Sequence, residues 1–209
     1  MTFVGLFLAS QVVIATMTSG AFPNPYDSPE LARAFFGPNA DVLRIVAFLQ
    51  FGAAIPLGIF TATVVSRLRF LGLTVAGVMI AEFGGFTASI MLAISGLTTW
   101  TMTQPGMVDD LSTLRALQLL SFSTGGVGHV VGLGLLLAGV SVPAAFAKLM
   151  PRWLVWFGLV LAVAAELSSV SLVFPIAAVL LPLSRFPAFV WLIGTGFALP
   201  TSRGAGRAA

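Results

Sequence analysis

Apolar residues run through this chain in blocks longer than a strand or a soluble helix requires. Six blocks stand out, at about 2–19, 42–65, 71–100, 114–140, 153–175 and 188–200. An α-helix needs about 20 mostly apolar residues to cross the hydrocarbon core of a bilayer. The last block is the shortest, but the preceding PIAAVLLPLSRF is also apolar and either extends it or forms a re-entrant piece. The pattern predicts an all-α fold: a polytopic transmembrane bundle of about six helices, with no internal repeat and one integral membrane domain over residues 1–209. FPNPYDSPELARAFFGPNAD is the longest polar stretch. It is expected to form an extracytoplasmic loop at about 21–41, partly as a short interfacial helix. SRLRFLG reads as a short cytoplasmic turn.

Composition agrees with this pattern. Hydrophobic residues make up 58% of the 209 positions and charged residues only 8%, against about 25% charged in soluble domains. The net charge of +3 does not point to nucleic acid. The basic residues sit singly or in pairs at block ends, as membrane-flanking charge does, and form no phosphate-binding face. Membrane lipid is the expected surroundings, and an oligomer of the chain is compatible with them. The chain contains no cysteine, which removes disulfides, thiolate metal sites and thiol redox chemistry. The first block ends in small residues near TMTSGA, as a signal peptide would, yet it lacks a basic n-region. It is therefore expected to be a retained helix.

The loop charges set an orientation in the cell inner (plasma) membrane. With a cytoplasmic N-terminus, the inner connections hold Arg67, Arg69, Lys148, Arg152, Arg203 and Arg207, the last two in a tail at about 201–209. The outer ones hold Arg33, Arg44, Arg115 and Arg185. The excess of basic residues inside follows the usual rule. Asp27, Glu30, Asp41, Asp109 and Asp110 all fall outside. Trp100 lies at an outer block end, with Trp153 and Trp156 at an inner one, where aromatic belts form. Both termini are thus expected in the cytoplasm.

Three ionisable residues remain inside the blocks: Glu82, His129 and Glu166. Glu82 lies 13 residues past Arg69, about 20 Å at helical rise. Glu166 lies 14 residues past Arg152, and His129 14 past Arg115, each about 21 Å. Ionisable groups at such depth are costly unless they face the bundle interior and find partners. The depth count predicts that His129 meets one or both glutamates, as a proton relay or an acid–base pair.

The surrounding residues form stripes at helical spacing. One is Gln118, Ser121, Gly125, His129 and Gly132; a second is Glu82, Gly85, Ser89, Ala93 and Gly96; a third is Ala47, Gln50, Ala54, Gly58 and Thr61. Ser169 stands one turn beyond Glu166. Small residues let membrane helices approach closely, and the glycines read first as packing residues. The same seams can wall a cavity, which makes Gln50, Ser89, Gln118, Ser121 and Ser169 the candidate substrate contacts. Gln50 and Gln118 read equally as interhelical hydrogen-bond partners. Pro56 is expected to kink its helix beside the seam.

Several chemistries lack an anchor. No Glu-x-x-His or His-x-x-x-His spacing accompanies the carboxylates, so no metal is expected. One histidine excludes a bis-histidine haem within the chain, and the absence of a mid-block lysine excludes a retinal Schiff base. GGVGHVVGLG has the wrong glycine spacing for a phosphate loop. No Gly-x-Ser-x-Gly, HExxH or Asp-rich diphosphate motif occurs. No cofactor is expected. The segments GHVVGLGLLLAGVSVPAAF, LMPRWLVWFGLVLAVAAELS and LPLSRFPAFVWLIGTGFALP resemble an uncharacterised family of small bacterial six-helix integral membrane proteins. The resemblance, over about 42–200, implies the six-helix arrangement and no activity.

Two classes of function stay open. One is a small proton-linked transporter or channel. The other is an intramembrane acid–base enzyme, an isomerase or cyclase acting on a lipid-soluble small molecule. A structural subunit of a membrane complex is the plainer alternative.

Overall fold

The computed structural model describes residues 1–24 and 26–202, and among these it contains helices and no strand. In chain order the helices are α1 (Thr2–Met17), α2 (Pro29–Phe36), α3 (Ala40–Phe70), α4 (Ala76–Met102), α5 (Leu111–Phe122), α6 (His129–Phe146), α7 (Arg152–Leu167) and α8 (Leu180–Ala198). A π-helical turn, Ser123–Gly128, joins α5 to α6, and short 3₁₀ turns lie between α7 and α8. Five stretches are long and apolar enough to cross a membrane: Ala40–Phe70, Ala76–Met102, Leu111–Phe146, Arg152–Leu172 and Pro175–Ala198. The chain is a multi-pass membrane protein on this evidence. Helix α1 is apolar but shorter, at 16 residues. Large apolar side chains such as Phe48, Phe83 and Phe146 stand exposed, as helices solvated by lipid require.

The last span begins earlier than the apolar block at 188–200 implies. PIAAVLLPLSRF extends it, and Arg185 lies inside α8 rather than in an outer loop. Pro56 is carried within α3 without breaking the helix.

The contacts divide the chain into two compact units. The first comprises Met1–Pro56 and Ile90–Gly126. Its core joins Ala32, Phe35 and Phe36 of α2 to Leu43, Met102 and Leu114. Local signals start α2: Pro29 opens the helix, Glu30 occupies its first turn and Arg33 its last, each suited to the helix dipole. Asn39 fastens the preceding loop, accepting from the Ser19 backbone N–H at 3.0 Å and donating to the Ser19 and Phe35 carbonyls. Asp110 caps α5 by accepting from the backbone N–H groups of Ser112 and Thr113, two donors that the helix start would otherwise leave unsatisfied.

The second unit comprises Leu57–Ser89 and the chain from Val127 onward. Here α6 packs along α7, and α7 along α8. A glycine seam joins α4 to α6. A methyl group on Gly84 would lie 2.7 Å from the Gly132 carbonyl, one on Gly132 2.7 Å from the Ala88 nitrogen, and one on Gly139 2.6 Å from the Gly77 carbonyl. Backbone faces backbone at each level, so only glycine admits this approach.

Candidate functional site

His129 is fully buried at the first position of α6, on the face that carries Gly132 and Gly139. Its Nδ1 lies 2.9 Å from the Ala88 carbonyl oxygen of α4. A carbonyl only accepts, so Nδ1 donates, and in a neutral ring Nε2 is then the accepting nitrogen. Gly132, one turn further along α6, is what allows the two backbones to come close enough for this bond. The π-turn immediately before His129 has the sequence STGGVG. Its three glycines weaken an ordinary helical register, and π-turns of this kind recur at functional sites.

Arg185 was placed by loop reasoning at a membrane surface. It is half-buried within α8, and its charge is within Coulombic reach of His129. It is the ionisable residue that the pattern of apolar blocks misses: PIAAVLLPLSRF is open to extending the last span, yet its arginine is counted among the outer connections. The available signal is that LLPLSRF contains no glycine, Asn or Asp to make a turn, only Pro182 and Ser184.

Glu82 has a different partner from the one expected. Its Oε2 accepts from Arg69 Nη2 of α3 at 2.5 Å, and both side chains are partly exposed. The depth count fails because Leu71–Val75 form the turn between α3 and α4 and contribute no helical rise. Glu82 is only six residues into α4, about 9 Å from its start. The α3–α4 hairpin thus closes with an ion pair near its end.

Glu166 is exposed near the end of α7. Its Oε1 would be 3.0 Å from a methyl group placed on Gly134 of α6. Gly134 is five residues past His129, about 140° around the helix and about 7.5 Å along it. Glu166 and His129 therefore address different faces of α6. Among the described residues, no three His, Asp or Glu side chains gather closely enough to hold a metal ion. The expected three-membered cluster is replaced by three separate settings: an ion pair, a carbonyl-bound imidazole and an exposed carboxyl.

The candidate substrate contacts separate as well. Ser121 belongs to a hydroxyl network with Ser95, at 3.1 Å, and Thr99, at 3.0 Å. Gly125 lies against Ser95. Gln118 is buried in the first unit, and neither atom of its amide has a hydrogen-bond partner there. Gln50 is half-buried with no hydrogen bond among the described residues. Ser89 packs against Gly58, whose added methyl would lie 3.2 Å from the serine hydroxyl. Ser169 is exposed and donates to the backbone carbonyl of Glu166 at 2.6 Å, not to its carboxylate. The Gly85–Ser89 stripe of α4 meets Thr61 and Gly58 of α3, so this seam is packed.

No protein family model, no curated protein and no solved structure matches the chain.

Proposed function

We propose that the chain is a multi-pass protein of the inner (plasma) membrane, with both termini cytoplasmic, and that it moves a proton across the bilayer, alone or with a small solute. Glu166 is the carboxyl that takes up and releases the proton. The observation that carries this reading is its setting: an acid about 21 Å along α7 from Arg152, exposed, and with no hydrogen bond or ion pair to its carboxylate among the described residues. An unpaired carboxylate within a span is expensive unless it faces water or changes protonation state. Glu82, by contrast, has its charge balanced by Arg69. His129, the Ala88 carbonyl and the adjoining π-turn form the joint at which α6 can adjust.

The orientation rests on Arg67, Arg69, Lys148 and Arg152 at one set of helix ends and Asp27, Glu30, Asp41, Asp109 and Asp110 at the other. With Arg185 placed inside α8, the outer set loses one basic residue.

Purified protein in liposomes with an internal pH indicator tests the reading. An imposed pH gradient should collapse faster than in protein-free vesicles, and Glu166→Gln should remove the difference while Glu82→Gln keeps it. Equal proton movement by wild type and Glu166→Gln would remove Glu166 from the path. Loss of turnover of a co-purified lipid, without any proton movement, would favour the intramembrane enzyme instead.

A further inference from the structure

Arg67 and Arg69 stand two residues apart near the end of α3, and their charges are treated differently. Arg69 is neutralised by Glu82. Arg67 makes no ion pair among the described residues. Its Nη1 donates to the carbonyls of Pro200, at 3.2 Å, and Leu199, at 3.5 Å. A guanidinium carries five N–H donors, so these contacts anchor the group without exhausting it.

Arg67 lines a groove of about 540 Å³ together with Ala62, Thr63, Ser66, Phe70 and Thr201. The groove has two kinds of wall. Ser66 and Thr201 supply exposed hydroxyls beside the guanidinium. Ala62 and Phe70 supply exposed apolar surface, and exposed Ile59 continues it one turn back along α3. The Thr63 hydroxyl already donates to the Ile59 carbonyl at 2.7 Å, leaving its oxygen as an acceptor. The carbonyl end of α3 carries only a partial negative charge, about half a unit, against the full positive charge of Arg67.

We propose that this groove binds the phosphate of an anionic phospholipid, with Arg67 on the phosphate and an acyl chain along Ala62 and Ile59. A planar guanidinium matches phosphate oxygens in a paired geometry. Basic pockets between membrane helices have the polarity to hold lipid headgroups. A free phosphate would use the same guanidinium and hydroxyls but none of the apolar wall, which is why the lipid is the assigned source. This inference is independent of proton movement at Glu166.

Thermal unfolding of the full chain in detergent tests it, since a ligand that binds the folded state raises Tm. Phosphatidylglycerol should raise Tm by several degrees, phosphatidylcholine clearly less, and inorganic phosphate little. Arg67→Gln should lose the phosphatidylglycerol increment. Thr63→Trp, which fills the groove from an exposed position and keeps Arg67, should lose it too, and it decides the matter if Arg67→Gln does not fold. Arg152→Gln, at the exposed start of α7, should retain it. An equal rise with phosphatidylcholine, or an increment retained in Thr63→Trp, overturns the site. A rise with inorganic phosphate equal to that with phosphatidylglycerol overturns the lipid assignment.

Discussion

Glu82 and Glu166 are the two acids that fall inside the apolar blocks, and they end in opposite circumstances. Glu82 lies a short way into α4 and is held by Arg69 across the α3–α4 turn. Glu166 lies far along α7, beside the backbone of Gly134, with no cation or donor on its carboxylate among the described residues. The difference is one of chain geometry. A hairpin turn brings Arg69 back to Glu82, because a long arginine side chain at the end of α3 can reach along the first turns of α4. Nothing comparable follows α7, where the chain passes through uncharged 3₁₀ turns, Ser168–Leu172 and Pro175–Val179. An acid in an apolar block is therefore a functional indicator only after the nearest helix-end cation has been excluded as its partner.

The sharpest way to break the comparison is to remove each charge and measure proton movement in liposomes. Glu166→Gln is expected to reduce it to the level of protein-free vesicles, and Glu82→Gln to leave most of it. If the two substitutions have the same effect, the ion pair does not distinguish the sites, and the proposed role of Glu166 fails with it.

Next in size is the contrast between the two faces of α6. Gly132 meets the backbone of Ala88, whereas Gly134 meets the side chains of Ala165 and Glu166. A methyl group at Gly132 has no side chain to displace and must push α4 away, so Gly132→Ala is expected to cost about 1–3 kcal/mol. It should also lengthen the His129–Ala88 bond. Gly134→Ala should cost less, because its methyl would meet one methyl, Ala165 Cβ, at 2.8 Å and one carbonyl, that of Ala162, at 3.2 Å, against three backbone atoms within 3.1 Å at Gly132, while the Glu166 side chain can rotate away; its main effect should fall on proton movement. Detergent melting curves together with the liposome assay read both. A larger loss of stability from Gly134→Ala would mean that the α6–α7 face, not the α4 seam, is the tighter one.

These contrasts also mark what the sequence could convey. Span positions were legible because long apolar runs have few alternatives in a chain with so little charge. The small-residue stripes were legible as packing surfaces, and Gly85, Gly125 and Gly132 do meet neighbouring helices. The partner of His129 was not legible, because Ala88 offers a backbone carbonyl and every residue has one. The depth of Glu82 was misjudged because LGLTV between α3 and α4 is as apolar as the helices it joins, and counting it as rise carried the acid too far in. Arg185 reads as a loop marker for the converse reason: a lone arginine beside prolines resembles a helix end. The π-turn leaves no separate trace, since STGGVG is uncharged and small throughout.

A smaller effect should follow from freeing Glu82. Arg69→Gln removes the cation and leaves Glu82 in a setting closer to that of Glu166. Exposed ion pairs contribute only about 0.2–1 kcal/mol, so the melting temperature should change little. Proton movement in liposomes should stay close to the wild-type level in Arg69→Gln, since Glu166 is unchanged. If Arg69→Gln lowers stability severely, the pair is a structural lock and the comparison must be drawn in terms of folding. If it abolishes proton movement, the ion pair belongs to the path and Glu166 does not act alone.

The smallest expected effect belongs to a third carboxylate, Asp110, which lies outside the spans at the start of α5 and sets the scale for a purely local role. The Ser112 hydroxyl, followed by the Thr113 hydroxyl and backbone N–H, donates to it and holds its pKa down to about 2 from the ordinary 3.8. The folded value is the lower one, so the contribution of the charged cap is fully present above the unfolded value, near pH 4. It is lost as the pH falls through about 2. Asn accepts the same backbone N–H groups at a helix start but carries no charge. Asp110→Asn should therefore keep α5 helical near neutral pH and flatten the acid dependence of its stability between about pH 4 and pH 2. Circular dichroism melts of wild type and variant in an acid-stable detergent measure this directly. Parallel decline of the two proteins across that window would assign the acid sensitivity to other groups. A loss of α5 at neutral pH in the variant would mean that the cap acts through its charge rather than through its hydrogen bonds.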